Sequence, residues 1–402
     1  MTMAEIEGDV MQTEEGKLWK KKYATKGVNI GSSEQLADIL FKQIGHERIK
    51  GNSTDQDVLA QINTDFTDLI MRHRKFSQAS GTFLESIIRQ TGEDAILHPS
   101  FAVNTTQTMR SSSMDPNFQN FPIRDREIGP IIRRSFIARQ GRQLVELDYS
   151  GAEVSNGVCY HKDPTMIQYI TDPTKDMHRD MSMECFKLGV DEVTKMIRYC
   201  GKNMFVFPQF YGDYYKTCAD SMWKAIPKME LETMSGIPLL RHLKSVGLGT
   251  YGLFESHVQD VEDVFWNETF PVYTRWKQRL YHKYLREGFV HTLTGFTVQG
   301  FMRRNQVINF PVQGSAFHWL LWSLIELNKE MRRQRMSSMI CGQVHDSMIL
   351  DCHPRETDDV IALAREIMCK RIMKHWDWII VPLVADAEVA PINGSWHDKA
   401  EY

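Results

Sequence analysis

Long apolar runs are missing from this 402-residue chain: none approaches the ~20 residues that a membrane-spanning helix needs. The opening, Met1 to Asp9, is acidic and has no signal-peptide core. On these absences neither a membrane span nor a secretory leader is expected, and the expected compartment is the cytoplasm. Cysteine is scarce as well. The seven cysteines are scattered, odd in number and never spaced as CxxC, which excludes a disulfide framework or a zinc cage and leaves reduced, buried thiols as the expectation. An excess of either charge is also lacking, since 48 Lys and Arg stand against 51 Asp and Glu for a net charge of −3. No internal repeat and no long low-complexity linker is present, so helical blocks are expected to be subdomains on one interrupted sheet rather than beads on a tether.

What is present begins with two acidic segments far apart in the chain: Asp148-Tyr149-Ser150-Gly151-Ala152-Glu153 and Val344-His345-Asp346-Ser347. The run Gln143-Leu144-Val145-Glu146-Leu147 suits a half-buried strand with Asp148 at its end. Two apolar runs flank His345-Asp346, from Ser338 to Val344 and from Ser347 to Cys352, as in a hairpin with Asp346 at its tip. A lone aspartate after a strand is most often a turn former or helix cap. Two of them brought together make a site for paired magnesium ions, and such a site moves phosphoryl groups.

Length exceeds one ordinary core, so two or three domains or subdomains are expected. Residues 1–95 show helical spacing, beginning with the cap and periodicity of Ser33 to Phe41 and continuing from Val58 to Phe83. Residues 96–147 lose that rhythm. Residues 151–290 are mainly helical, broken at Pro164, Pro173, Pro208 and Pro238, and then come short strands, a helix over Gln313 to Arg333, the hairpin, a helix from Arg355 to Lys374 and a strand from Ile379 to Val389. Charge is locally uneven. Arg124 to Arg142 holds six arginines against two acids, and Arg275 to Arg304 holds seven basic residues against one, as a basic channel in a near-neutral body would.

Between the aspartates lies Arg198-Tyr199-Cys200-Gly201-Lys202, in which two cations four residues apart share a helix face and can meet a triphosphate. Aromatics follow at Phe205, Phe207, Phe210 and Tyr211, able to offer a flat surface to a base. An amphipathic helix with a basic edge is the plainer reading of the same run. Pro208 implies a kink or an end nearby.

Taken in order, Arg110 to Arg124 (with Asp115-Pro116-Asn117 and Phe121-Pro122), Asp148-Tyr149-Ser150 with Glu153, Asp176-Met177-His178, Arg198/Lys202/Tyr211-Gly212, Asn309-Phe310-Pro311-Val312-Gln313-Gly314 and Val344-His345-Asp346 resemble the polymerase domain of family A (Pol I-like) DNA polymerases, phage members in particular. The resemblance implies an α+β right-hand fold with an antiparallel-sheet palm and mainly helical fingers and thumb: thumb 1–95, palm 96–170 and 300–402, fingers 171–299. It implies DNA-templated addition of dNMPs to a primer 3′-hydroxyl in DNA replication. Asp148 and Asp346 would hold two Mg2+ ions, for which Mn2+ can substitute, with the Tyr149 carbonyl as a further ligand. Arg198, Lys202 and His178 would grip the triphosphate, with Lys202 donating a proton to the leaving group, and Glu153 would exclude a ribose 2′-hydroxyl. Tyr211 would stack near the templating position, while Arg110, Asn309, Gln313 and His345 would touch the primer-template from its minor-groove side. Primer-template DNA and dNTPs are the implied partners, with a separate exonuclease or processivity protein left open and the host-cell cytoplasm as the compartment if the source is a phage.

The chain also departs from the family pattern. One extra residue stands between Lys202 and Tyr211, so either Phe205 or Phe207 could pack on the incoming nucleotide; Phe207 is preferred, and phenylalanine there implies discrimination against dideoxynucleotides. Ser347 follows Asp346 where many cellular members have glutamate. Thr294-Gly295-Phe296-Thr297-Val298 replaces an arginine-rich run. The chain starts where the thumb should start, so no proofreading exonuclease is expected. Two other readings are a single-subunit RNA polymerase-like nucleotidyltransferase, disfavoured by Glu153, and a catalytically silent DNA-binding replisome protein on the same fold, disfavoured by both aspartates and Lys202.

Overall fold

A computed structural model describes every residue except Met1, Ile123, Arg124 and Arg126, so the last two residues of the first motif and two arginines of the first basic run lie outside the described residues. The chain divides into two units, residues 1–101 with 113–136 and residues 102–112 with 137–402. The fold is α+β and mainly helical, with small antiparallel sheets.

The first unit is built from short capped helices. Thr2, Thr13, Asp55 and Thr64 each accept a hydrogen bond from a backbone N–H in the first turn of the helices Met3–Gln12, Glu14–Lys22, Gln56–Ile62 and Asp65–Gln78. Their apolar stripes meet in one core of Ile6, Val10, Trp19, Leu36, Leu40, Phe66 and Ile70. A second cluster, Phe83, Phe118, Phe121 and Phe136, packs edge-on and tilted.

The second unit is organised by a five-stranded antiparallel sheet: β1 (Gln143–Tyr149), β2 (Met339–Val344), β3 (Ser347–Cys352), β4 (Ala385–Val389) and β5 (Ala400–Glu401), in spatial order β2-β3-β1-β4-β5. Side chains alternate across a strand. In β1, Val145, Leu147 and Tyr149 therefore enter the core, where the Tyr149 ring meets Trp319 and its hydroxyl donates to the Met368 carbonyl at 3.0 Å. Glu146 and Asp148 are left on the opposite face.

The expected hairpin is there, with Val344 paired to Ser347 and His345-Asp346 as a two-residue turn, His345 at φ 53°. Two boundaries differ from expectation. The helix expected from Gln313 runs from Arg304 to Arg333 with Pro311 inside it. Proline there argues for an end, yet the helix runs on through it, with Tyr160 donating to the Pro311 carbonyl at 2.9 Å and Asn156 to that of Val312 at 2.6 Å from outside. The strand expected from Ile379 begins only at Ala385, because Pro382 has no N–H to give a ladder. All seven cysteines are unpaired and five are buried, but Cys341, expected to be buried, is exposed on the edge strand β2. Among the described residues no helix is long and apolar enough to cross a membrane.

Candidate active site

Asp148 lies next to last in β1, opposite Ser347 on one side and Asp386 on the other. The backbone carbonyl of Asp346 accepts from Tyr149 N at 3.4 Å, so both aspartates stand at one end of adjacent strands. Enclosure by protein, then the negative charges of Asp346, Glu146 and Asp386, pushes the Asp148 carboxyl up to about 7, although the residue keeps solvent-exposed surface. Burial also raises Asp346, against the pull of Arg110 and His345. His345 itself is lowered by burial and by Arg110.

Carboxylates raised in this way repel one another, and a divalent cation would relieve them; oxygen donors are also what magnesium prefers. The donor set thus fits the implied metal. Among the described residues no three His, Cys, Asp or Glu side chains form a cage, so the carboxylate pair with backbone and outside ligands is the form the site can take.

Arg110, Glu153 and Tyr211 join beside these aspartates. Tyr211 Oη donates to Glu153 Oε2 at 2.7 Å, and Arg110 pairs with Glu153 Oε1. Glu153 is in the first turn of the helix Ala152–His161, entered through Gly151 at φ 63°. Arg110 is brought in by close packing: Ser111 Oγ donates to Gln343 at 2.7 Å, and a Cβ on Gly314 would come within 2.8 Å of the Thr108 carbonyl oxygen, so only glycine lets this segment lie on the long helix. On that helix Asn309 Nδ2 reaches the Tyr211 carbonyl at 3.5 Å, and Gln313 follows one turn later, half-buried.

A second group holds Asp176, His178, Arg198, Lys202 and Phe207. Arg198 Nε donates to Asp176 Oδ2 at 2.6 Å, while Asp176 also caps the helix Met177–Phe186. His178 packs edge-on to Phe207 at 5.7 Å, and the Lys202 ammonium lies 5.1 Å from the same ring. Burial, then Lys202 and Arg198, lowers His178 to about 4, so its imidazole is neutral at pH 7.

The extra residue between Lys202 and Tyr211 has a structural counterpart. The helix Lys195–Gly201 passes into a π-helical turn, Lys202–Val206, before the helix Phe207–Tyr211. A π turn bonds i to i+5 and takes up one residue more than an α turn. Phe207, five residues after Lys202, consequently shares its face, whereas Phe205 is fully buried and meets Phe265 edge-on at 5.5 Å.

Glu146, which the sequence reading did not single out, touches the site from behind. Ser347 Oγ donates to Glu146 Oε1 at 2.9 Å, Trp396 Nε1 donates to Oε2 at 2.7 Å, and Lys399 is ion-paired to it. Burial opposes its ionisation, but Lys399 with these hydrogen bonds holds its carboxyl below the usual range. Where many cellular family members have a glutamate after the second aspartate, this chain has Ser347 bonded to a glutamate of the neighbouring strand. The i, i+2 spacing of Glu146 and Asp148 was the available signal.

The family model described as DNA polymerase family A matches residues 3–234 and 254–398. The chain belongs to DNA polymerase family A. DNA polymerase I of Bacillus subtilis (strain 168) is 30% identical over 382 residues, covering 92% of this chain and 40% of that protein. The DNA polymerase of Bacillus phage SP01 is 29% identical over 396 residues, covering 90% of this chain and 39% of that protein. This family A chain therefore spans about two fifths of the length of these relatives. The POL domain of Pol1 from M. smegmatis, in a complex with DNA primer-template and dNTP, shares the fold at a TM-score of 0.75 and 20% identity, over 98% of this chain and 66% of that one.

Proposed function

We infer that this family A chain is a DNA-templated DNA polymerase, with a thumb in residues 1–95, a palm in 96–170 and 300–402 and fingers in 171–299. The observation that carries this is the pair Asp148 and Asp346 at one end of adjacent strands, with Glu153 and Tyr211 beside them.

Asp148, Asp346 and the Tyr149 carbonyl would hold two magnesium ions, which when bound supply Lewis-acid stabilisation to a primer 3′-hydroxyl and to departing pyrophosphate. The protein's own groups do the rest. Arg198 exchanges Asp176 for a phosphate oxygen of the nucleotide, and neutral His178 offers it a hydrogen bond. Lys202 faces the same phosphates and gives a proton to the leaving group. Phe207 packs against the nucleotide, and Glu153, held by Arg110 and Tyr211, crowds the ribose 2′ position. Arg110, Asn309, Gln313 and His345 line the primer-template, and Tyr211 stands at the templating position.

Primer extension by the 402-residue chain, with dNTPs and rNTPs offered separately on a primed DNA template, tests this reading. Template-directed addition of dNMPs is expected; a preference for rNTPs, or no addition, would overturn it.

A further inference from the structure

Glu146 comes two residues before Asp148 in β1, so the two carboxylates stand on the same face of the sheet. On β4 they meet a second acidic pair, Glu388 opposite Glu146 and Asp386 opposite Asp148. The two rungs differ in charge balance. Lys399 is ion-paired to both Glu146 and Glu388, whereas among the described residues no cation is ion-paired to Asp148 or Asp386. Glu146 is thus already satisfied by protein, as suits a brace and not a third metal ligand.

Its donors come from two separate segments. Ser347, the residue after Asp346, donates to one oxygen at 2.9 Å, while Trp396 Nε1 and Lys399 hold the other. Trp396 and the Lys399 side chain are buried, so this grip is fixed. Ser347 is also the partner of Asp148 across β1 and β3. The space between positions 146 and 347 therefore lies beside Asp148, and the carboxylate that fills it links the strand carrying Asp148 to the turn carrying Asp346. A metal pair needs its two carboxylates at a set separation, and groups that orient ligands from behind are typically worth roughly 10–100-fold in metal affinity.

We propose that Glu146 is a positioning residue of the reacting centre: gripped by Trp396 and Lys399, it holds Ser347, and with it Asp346, at the separation from Asp148 that two divalent cations require. The proposal rests on the polymerase reading above. It also gives Ser347 a reason. A glutamate side chain at 347 would point its carboxylate into the space Glu146 fills, so the two positions can supply one carboxylate between them but have no room for two.

The test titrates Mn2+ by electron paramagnetic resonance into the full chain with a dideoxy-ended primer-template and the matching dNTP, a state in which no reaction runs. Glu146→Gln is expected to weaken Mn2+ binding roughly tenfold and to shift the Mg2+ dependence of extension by the same factor, with primer-template affinity within a few-fold of the wild type. Trp396→Phe, which keeps a ring and removes one donor, should give a smaller shift of the same sign at temperatures where the chain is folded. Glu146→Ser should lose Mn2+ affinity, and adding Ser347→Glu to it should restore most of that loss. A purely structural brace would lower the melting temperature and leave Mn2+ affinity unmoved. Unchanged Mn2+ affinity in both Glu146→Gln and Trp396→Phe, or an exchanged pair no better than Glu146→Ser alone, would overturn the proposal. Wild-type primer extension, run alongside, separates its failure from failure of the polymerase reading.

Discussion

Tyr211 and Glu153, 58 residues apart, are joined by a 2.7 Å hydrogen bond, and the other oxygen of Glu153 is paired with Arg110. One carboxylate thus ties the end of the proposed fingers helix to the helix that follows the first aspartate. Glu153→Ala is expected to raise rNTP relative to dNTP incorporation at least tenfold, roughly the discrimination carried by one well-placed contact. Tyr211→Phe removes only the hydroxyl and should cost about 1 kcal/mol of stability. Single-nucleotide kcat/KM values for matched dNTP and rNTP check the first, and thermal unfolding checks the second.

Phe205 and Phe207 are expected to separate cleanly. Phe205→Ala empties a fully buried site and should destabilise the fold by about 3–5 kcal/mol. Phe207→Ala should change stability much less but weaken nucleotide binding, and Phe207→Tyr should relax discrimination against dideoxynucleotides. Denaturant midpoints together with ddNTP/dNTP incorporation ratios distinguish the two positions. A chain in which Phe205 substitutions alone altered nucleotide selection would contradict the π-turn register.

Lys399 and Glu146 are both largely buried, at 5% and 12% side-chain exposure. Removing one partner leaves the other charge buried, so Lys399→Met should cost about 3–5 kcal/mol. Adding Glu146→Gln to it should recover a good part of that loss. A double-mutant cycle by chemical denaturation measures the coupling, and Mg2+ titration of activity shows whether the strand carrying Asp148 moves with it.

Glu356 gives a pH-dependent expectation. Burial opposes its charge, but hydrogen bonds from the backbone and side chains of Ser337 and Ser338 hold it at about 2, below its ordinary 4.5. A depressed carboxyl contributes stability above its unfolded value and loses it as pH falls through the folded one. The wild type should therefore exceed Glu356→Gln in melting temperature at pH 6, and the gap should close progressively between pH 4.5 and about 2. A gap independent of pH would contradict the assignment.

Much of the site was legible because its residues obey local rules. Period-2 alternation before Asp148 and around His345-Asp346 marks strands, and four-residue spacing puts Arg198 on the face of Lys202. Other features depend on partners that no local pattern announces. Glu146 is an ordinary strand residue until Lys399 arrives from the far end of the chain. The start of the long helix at Arg304 was hidden by Pro311, which lies inside the helix with Tyr160 and Asn156 bonded to the carbonyls of 311 and 312. The π turn is visible in sequence only as one residue too many, and its consequence for Phe205 and Phe207 needs the fold. Lys277 reads as one more charge in a basic run, and only packing shows it lying on Trp266.

The central claim is that Asp148 and Asp346 together form the reacting centre. Single-turnover extension of a primed DNA template with dNTP and Mg2+, for the wild type and for Asp148→Asn and Asp346→Asn, tests it most directly. Each variant should lose the rate by roughly a thousandfold or more, the scale of several kcal/mol of lost transition-state stabilisation, while binding primer-template within a few-fold of the wild type. Extension by either variant at the wild-type rate would contradict the account.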